Sequence, residues 1–510
     1  VVLGTLCLAW VELLYPFGRD QGNYAYPAWA WLEGQMPYRD VYVFKPPGTV
    51  WIHALAQVLF GHSMVAVRIL DIGWTVATAL TIFAIVRRWS GGNGLAAPAA
   101  GLLYSFLYTN FDFWNTCQTD GWFNLPLALA ILLTTRVWTR ESKDGVLVVA
   151  GALLGLAMMF KYTAAAMALP IAGILLAAAW PDRRFARLFG QLALGVVGAA
   201  AVIGATGYWL WANGAIAGFL DSQAVLVPAY VAKTGKTSGL LDKPALLYDR
   251  LTKLKELRFE LLLLCLGLPL VAVRFRREPA MLFAVLWYVG GLASTVAQNK
   301  YFRYHFLSTL PGAAILGAFA VAAALQVARS FHRRAPAVIA LAMAIALFAS
   351  SNFPPRFVVG ARVLTGDMTL RQYWKRKDFK LDKKPLVQVY DAADRVAALS
   401  EPGERVFLWG YDPVINFVAK RLTVSRFLYN YPFAVSWGDR RYEDELMGAL
   451  RATPPEWFVL ASDDANKTVT GNPADSKQLF DEFPALNQFV AERYAEVETV
   501  NRYTIYRRNP

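Results

Sequence analysis

Apolar residues in the first part of this chain come in blocks of helical length, parted by short polar stretches. Helices are predicted at about 1–16, 64–88, 94–109, 121–138, 145–160, 163–180, 187–212, 259–274, 279–297, 305–327 and 335–352. Crossing a bilayer takes roughly 20 apolar residues, fewer where a helix is buried among others, and the pair at 145–180 is short by that measure. After Asn352 the pattern changes. VYDAADRVAALS reads as a helix and ERVFLWG as a strand; YEDELMGALRA is helical, EWFVLAS a strand, FPALNQFVAERY helical, and the end a strand again. That alternation predicts an α/β layer domain. The expected organisation is a polytopic helical membrane domain over 1–352, with about eleven transmembrane helices, and an α/β domain outside the membrane over 353–510.

Two polar stretches interrupt the apolar blocks at length. The first outer loop, 17–63, holds RDQGNYAYPAWAWLEGQMPYRDVYVFKPPG. Within it NYAYPAWAWLEG predicts an interfacial helix, because Tyr24, Trp29 and Trp31 favour the headgroup layer. After the Pro46–Pro47 break, TVWIHALAQVLFG predicts a second interfacial or short re-entrant helix. The large outer loop, 213–258, carries Gly, Ser, Thr and Lys in its middle, which suits either a lid over a site or a plain connector.

Charge fixes an orientation. Basic residues crowd alternate short loops: Arg87 and Arg88; Arg136, Arg140 and Lys143; Arg183, Arg184 and Arg187; Arg274, Arg276 and Arg277; Arg329, Arg333 and Arg334. Such loops are cytoplasmic by the positive-inside rule, so the other loops and the tail are expected outside. The net charge of +14 therefore belongs to helix ends, and nucleic acid is not an expected partner. Composition agrees with a membrane domain: 56% of residues are hydrophobic and 17% charged, against about 25% charged in soluble domains. The three cysteines and four histidines are scattered, without zinc-ligand or disulfide spacing. Val1–Tyr15 lacks a small-residue cleavage site after it and reads as a first transmembrane helix in a chain that starts inside an apolar run. Asn466-Lys467-Thr468 has the form of a glycosylation acceptor.

The candidate chemistry lies at the outer ends of helices. Asp20 is either a general base for an acceptor hydroxyl or an N-cap of the interfacial helix. Lys45 is either a ligand of a lipid phosphate or a lysine snorkelling to headgroups. Asp120 opens the fourth helix, as a cap or a site residue, and Lys161 sits at an outer junction where a charge needs water or a partner. Lys300, Arg303 and His305 form either an anion site or a charged boundary. Arg68 and Asp71, one turn apart, are expected to pair, and Glu12 lies late in the first helix.

Taken together, RDQGNYAYPAWAWLEGQMPYRDVYVFKPPG and FGHSMVAVRILD resemble the first outer loop of bacterial family 39-type glycosyltransferases, relatives of protein O-mannosyltransferases and aminoarabinose lipid A transferases with the GT-C fold. TDGWFNLPLALAILL, GLAMMFKYTAAAMALP, YFRYHFLSTLPGAAILGA and the tail stretches ERVFLWGYDP, SRFLYNYP and PPEWFVL extend the resemblance over nearly the whole chain. It implies an inverting transferase in the bacterial inner membrane that moves a sugar from a polyprenyl-phosphate donor to an acceptor hydroxyl on the periplasmic side. The acceptor would be a glycan, lipid or protein. By matching positions, Asp20 would be the base, Asp120 a second acidic residue, and Lys45, Lys161, Arg303 and His305 would serve the donor. Gln21, Tyr38, Arg39 and Asp40 would make acceptor or loop contacts.

Two positions depart from the pattern. Gln21 stands where the family has a Glu, and Phe44 where the aminoarabinose transferases carry one. No tightly bound cofactor or metal is therefore expected. The rival readings are a non-catalytic GT-C-like subunit that binds a membrane partner through its outer domain and, less well supported, a transporter. A transporter would be expected to show inverted repeats, and none is evident.

Overall fold

The computed structural model describes every residue except 92, 93, 237, 238, 240, 275–279, 382, 383 and 436. Arg276 and Arg277 of the fourth basic loop, and part of the Gly-Lys-Thr-Ser-Gly stretch of the large outer loop, lie outside the described residues. Each of the eleven apolar blocks contains a helix. Among the described residues, Met64–Trp89, Tyr162–Ala179, Phe185–Ala212, Ala280–Ala297 and Leu310–Phe331 are five helices long and apolar enough to cross a bilayer. Ala335–Ser350 and Phe353–Leu364, bent by 71° at their junction, add a sixth if they are one broken span. Val2–Leu14 and Val146–Phe160 are shorter apolar helices. Ala96–Thr109, Asn124–Trp138 and Arg258–Arg274 have 14, 15 and 17 residues. Five of the eleven expected crossings are thus shorter than the 18 residues of the shortest candidate span.

The chain divides into two compact units. The first joins Val1–Leu14, Arg68–Thr206 and Lys236–Thr365; the second joins Tyr15–Val67, Gly207–Gly235 and Gly366–Pro510. The sequence reading puts a boundary at 352, whereas the helix Phe353–Leu364 belongs to the first unit, and the first outer loop is compact with the tail.

In the first unit Leu310–Phe331 is the central helix, two-thirds buried, packed on Ala96–Thr109, Arg258–Arg274 and Ala280–Ala297. Small residues set the spacing, as expected where lipid gives helices no hydrophobic reason to associate. A Cβ at Gly151 would overlap the Gly195 carbonyl, and one at Gly198 the Val148 carbonyl, so Val146–Phe160 and Phe185–Ala212 touch backbone to backbone. One group of buried charges surrounds Arg68. Arg68, fully buried, donates to the Thr116 hydroxyl at 2.7 Å and the Phe113 carbonyl at 2.9 Å, while Asp71 accepts from the Tyr108 hydroxyl at 2.8 Å. Glu12 lies within electrostatic reach of Asp71, Arg68 and Arg356, and is itself buried.

The second unit is built on a four-stranded sheet. After a small hairpin of β1 (Lys380–Leu381) and β2 (Lys384–Pro385) come β3 (Val406–Trp409), β4 (Trp457–Ala461), β5 (Tyr494–Val500) and β6 (Tyr503–Arg508). The sheet order is β3-β4-β6-β5, with β3 and β4 parallel and β6 antiparallel to both its neighbours. Every residue of β3 and β4 is buried, which is why ERVFLWG and EWFVLAS read as unbroken apolar runs. The predicted last strand is a hairpin of two, turned at Asn501 with φ +55°.

Both helices expected in the first outer loop are present, as Arg19–Leu32 and Pro47–Phe60, packed on each other. Tyr24, Tyr26 and Trp29 are buried against protein, while the second helix exposes Leu55, Val58, Leu59 and Phe60. Arg19–Leu32 also packs on Val414–Ala419 of the tail. Gly22 allows that approach, since a Cβ there would meet the Val414 backbone nitrogen at 3.0 Å. The outer loop beyond Ala215 is mainly helical, with a π-helical turn over Asp221–Leu226 between Ile216–Leu220 and Val227–Thr234.

Candidate active site

The expected site residues fall in both units, and each unit makes its own arrangement. In the first, Asp120 lies in the opening turn of the short helix Thr119–Trp122 and is fully buried. One carboxylate oxygen accepts from the Lys161 ammonium at 2.5 Å and from the Thr119 hydroxyl at 3.2 Å; the other accepts from the Gln298 amide at 3.0 Å. Lys161 occupies the extended residue between Val146–Phe160 and the 3-10 turn Tyr162–Met167. Its ammonium lies 5.5 Å from the centre of the Tyr304 ring. Asp120 and Lys161 are thus brought together, with Gln298 and Tyr304 as partners that sequence spacing did not single out.

Arg303 is half exposed and paired with Glu256 at 2.9 Å and, at 3.7 Å, with Asp112. His305 is buried, edge-on to Tyr304 at 4.7 Å and to Phe302 at 5.4 Å. Lys300 is 2% exposed, between Asn299 and Tyr301, which both adopt left-handed backbone with φ +52°. Burial, reinforced by the Lys236 charge, pushes its ammonium down to about 7.

In the second unit Asp20 is the second residue of Arg19–Leu32, whose N-cap is Gly18. The capping reading of Asp20 is therefore corrected. The Gly18 N–H donates to the Gln21 side chain at 3.0 Å, so Gln21 makes the capping contact, and Asp20 sits two residues past the cap, partly exposed. Arg19, on the other side, donates to Asp412 at 3.0 Å and lies 5.2 Å from the Tyr411 ring centre. Asp412 also accepts from the Tyr503 hydroxyl at 2.7 Å and from Arg502 at 3.4 Å. Burial pushes the Asp412 carboxyl up, but Arg19, Arg502 and the Tyr503 hydroxyl outweigh it and hold the group below its ordinary value.

Lys45 stands before the Pro46–Pro47 start of its helix, and its carbonyl accepts from the Tyr38 hydroxyl at 2.6 Å. Tyr38 has φ +69° and is 1% exposed; its N–H closes onto the Val41 carbonyl at 2.7 Å. Arg39 pairs with Asp40 at 2.7 Å and reaches the Asn213 carbonyl at 3.0 Å. The hydrogen bond from Arg39 holds the Asp40 carboxyl below its ordinary value. Tyr38, Arg39 and Asp40 thus make the tight turn that presents Lys45. Phe44 contacts the Tyr230 and Tyr431 rings edge-on at 5.4 and 5.3 Å, so this position offers aromatic surface where a carboxylate was the alternative. Among the described residues no group of three His, Cys, Asp or Glu side chains has a metal-ligand arrangement.

Residues 44–211 match the sequence model of the family described as dolichyl-phosphate-mannose-protein mannosyltransferase. No protein of curated function matches the sequence. Two solved structures of ArnT from Cupriavidus metallidurans are similar in fold at 16% identity, one bound to undecaprenyl phosphate (TM-score 0.60) and one in the apo state (0.59). Each alignment covers 98% of this chain and 96% of the other. The archaeal oligosaccharyltransferase AglB from Archaeoglobus fulgidus, in complex with an inhibitory peptide and a dolichol-phosphate, matches at 12% identity with a TM-score of 0.51. That alignment covers 99% of this chain and 74% of AglB. These likenesses bear out the expected fold, a polytopic helical membrane protein with a small C-terminal sheet domain.

Proposed function

We propose, from the premise that this chain is a GT-C membrane protein related to the family 39-type glycosyltransferases, that it moves a sugar from a polyprenyl-phosphate carrier to an acceptor hydroxyl on the extracytoplasmic face. The observation that carries the reading is the fold: it aligns over 98% of the chain with a structure bound to undecaprenyl phosphate. Lys45, Asp120 and Lys161 fall within the matched residues 44–211, and Asp20 lies before them.

The chemistry needs few parts. The acceptor oxygen attacks the anomeric carbon as its proton passes to the Asp20 carboxylate. The bond from that carbon to the phosphate oxygen breaks, and the phosphate leaves with the electron pair. One displacement inverts the anomeric configuration. Phosphate departure needs charge stabilisation more than protonation, which is the role of Lys45. Arg19 and Gln21 hold the backbone on either side of Asp20, one through Asp412 and the other through the Gly18 N–H. In the first unit Asp120 and Lys161 form a preorganised pair, with Gln298 on the second carboxylate oxygen.

The test is transfer in nanodiscs from a panel of radiolabelled polyprenyl-phosphate sugars to cell-envelope extract, with Asp20→Asn in parallel. We expect transfer from one donor and a loss of about 10²–10⁴-fold in the variant, with lipid binding unchanged. No transfer from any donor, with both proteins binding lipid alike, would favour the non-catalytic subunit.

A further inference from the structure

The tail and both outer loops of the second unit contribute tyrosines to one cluster near Asp20. Asp20 lies within electrostatic reach of Tyr230 and Tyr429. Tyr431 stacks on Tyr429 at 6.0 Å and meets Tyr230 edge-on at 6.2 Å; Tyr42 lies 6.0 Å from Tyr429. Phe44 closes the group against Tyr230 and Tyr431. These rings come from the first outer loop, the π-helical outer loop and the tail stretch after β3, and local sequence cannot be what gathers them.

A purely structural aromatic cluster would be expected to bury its rings and satisfy its hydroxyls. Here two hydroxyls are not satisfied. Tyr42 is 1% exposed and Tyr431 4%, and neither phenol oxygen has a hydrogen-bond partner among the described residues. Buried polar atoms are ordinarily paired, so two orphans in one cluster call for an explanation. Phe44 and Tyr230 keep part of their surface accessible. Apolar ring faces beside unpaired hydroxyls complement a neutral sugar, which has an apolar C–H face and a rim of hydroxyls. Phe44 also directly precedes Lys45, so a sugar joined to a phosphate held by Lys45 would lie close to this wall.

We propose that Phe44, Tyr230, Tyr429 and Tyr431 form the wall that receives the glycosyl group of the donor, with the Tyr431 and Tyr42 hydroxyls taking its hydroxyl groups. The inference rests on the reading of the chain as a polyprenyl-phosphate-sugar transferase, and it selects a neutral pyranose over a charged sugar. The wall sets affinity for the sugar, leaving the lipid phosphate to Lys45.

The experiment compares binding of bare undecaprenyl phosphate with that of a panel of undecaprenyl-phosphate hexoses, using intact protein in nanodiscs, for wild type, Tyr431→Phe and Tyr42→Phe. Phenylalanine keeps each ring and removes only the hydroxyl. Wild type should bind one glycosylated lipid about tenfold more tightly than the bare lipid. Each variant should lose most of that preference while binding the bare lipid as wild type does. A wild type without preference, a variant that keeps it, or a variant weakened equally for both lipids would overturn the wall. If wild type binds neither lipid, the transferase reading itself falls, and the wall with it.

Discussion

In the first unit the Asp120 carboxylate meets a cation directly, with Lys161 at 2.5 Å and Gln298 at 3.0 Å. In the second unit the residues on either side of Asp20 are anchored: Arg19 is tied to Asp412, and Gln21 to the Gly18 N–H. The two arrangements suit different tasks. A carboxylate already joined to an ammonium and an amide is well placed to position something. A carboxylate on a backbone fixed from both sides, among phenols, keeps its geometry for a proton transfer. The second unit thus places a buried ion pair, Arg19 with Asp412, on the residue next to the proposed base.

The largest effect should come from breaking that anchor. Asp412→Ala leaves the Arg19 and Arg502 guanidiniums buried beside each other without their carboxylate. Removing one partner of a buried pair costs about 3–5 kcal/mol, so thermal unfolding should show a large fall in stability. An equally stable variant would mean that Arg19 is held by other contacts, and the contrast between the units would weaken.

Next is the direct pair. Lys161→Ala strands a buried carboxylate, and a loss of about 3 kcal/mol is expected. Adding Asp120→Asn removes the stranded charge and should restore at least about 1 kcal/mol. A double variant no better than the single would show that the pair is not what Lys161 provides.

A smaller effect separates the units by pH. Lys300, in the first, is held at about 7 by burial and by Lys236, against about 10.4 for free lysine. Between those values the unfolded chain binds more protons than the folded one, so stability should rise with pH across that window. Lys300→Met should flatten the rise, as read from the unfolding temperature between about pH 7 and 10. Asp412, in the second unit, is held low, so its contribution is present above the ordinary carboxylate range and is lost in acid.

What could be read without coordinates follows from range. Each apolar block contains a helix because length and hydropathy are local properties. The tail strands 406–409 and 457–461 were legible for the same reason, as buried runs such as VFLW and WFVLA. The site was legible only where one residue carried its own oddity: a lysine before two prolines, an aspartate after a membrane helix. Partners were not. Asp412 lies 393 positions from Arg19, and Gln298 lies 178 from Asp120. Nothing local marks either as a partner. The aromatics of NYAYPAWAW carry the signal of a headgroup-facing helix, but the same rings serve equally well to bury a helix against protein, and Tyr26 at 0% exposed does the latter.

Gln21 gives the smallest and most discriminating test. Its amide oxygen takes the Gly18 N–H at 3.0 Å, and the residue is fully buried. A glutamate offers the same acceptor and adds a negative charge at a helix N-terminus, where such a charge is favoured by about 0.3–1 kcal/mol before any cost of burial. The departure from the Glu of the transferases that this chain resembles is then a change in charge that keeps the hydrogen bond. Gln21→Glu should leave transfer near wild type and lower stability, the cost of burying a carboxylate exceeding the gain at the helix terminus. Gln21→Ala should lose about 1 kcal/mol, the usual worth of a helix-capping contact, and lower transfer only modestly, since the Arg19 anchor remains. If Gln21→Glu instead raised transfer by an order of magnitude while stability stayed constant, the glutamine would be acting on the reaction, and its part in holding Asp20 would be the lesser one.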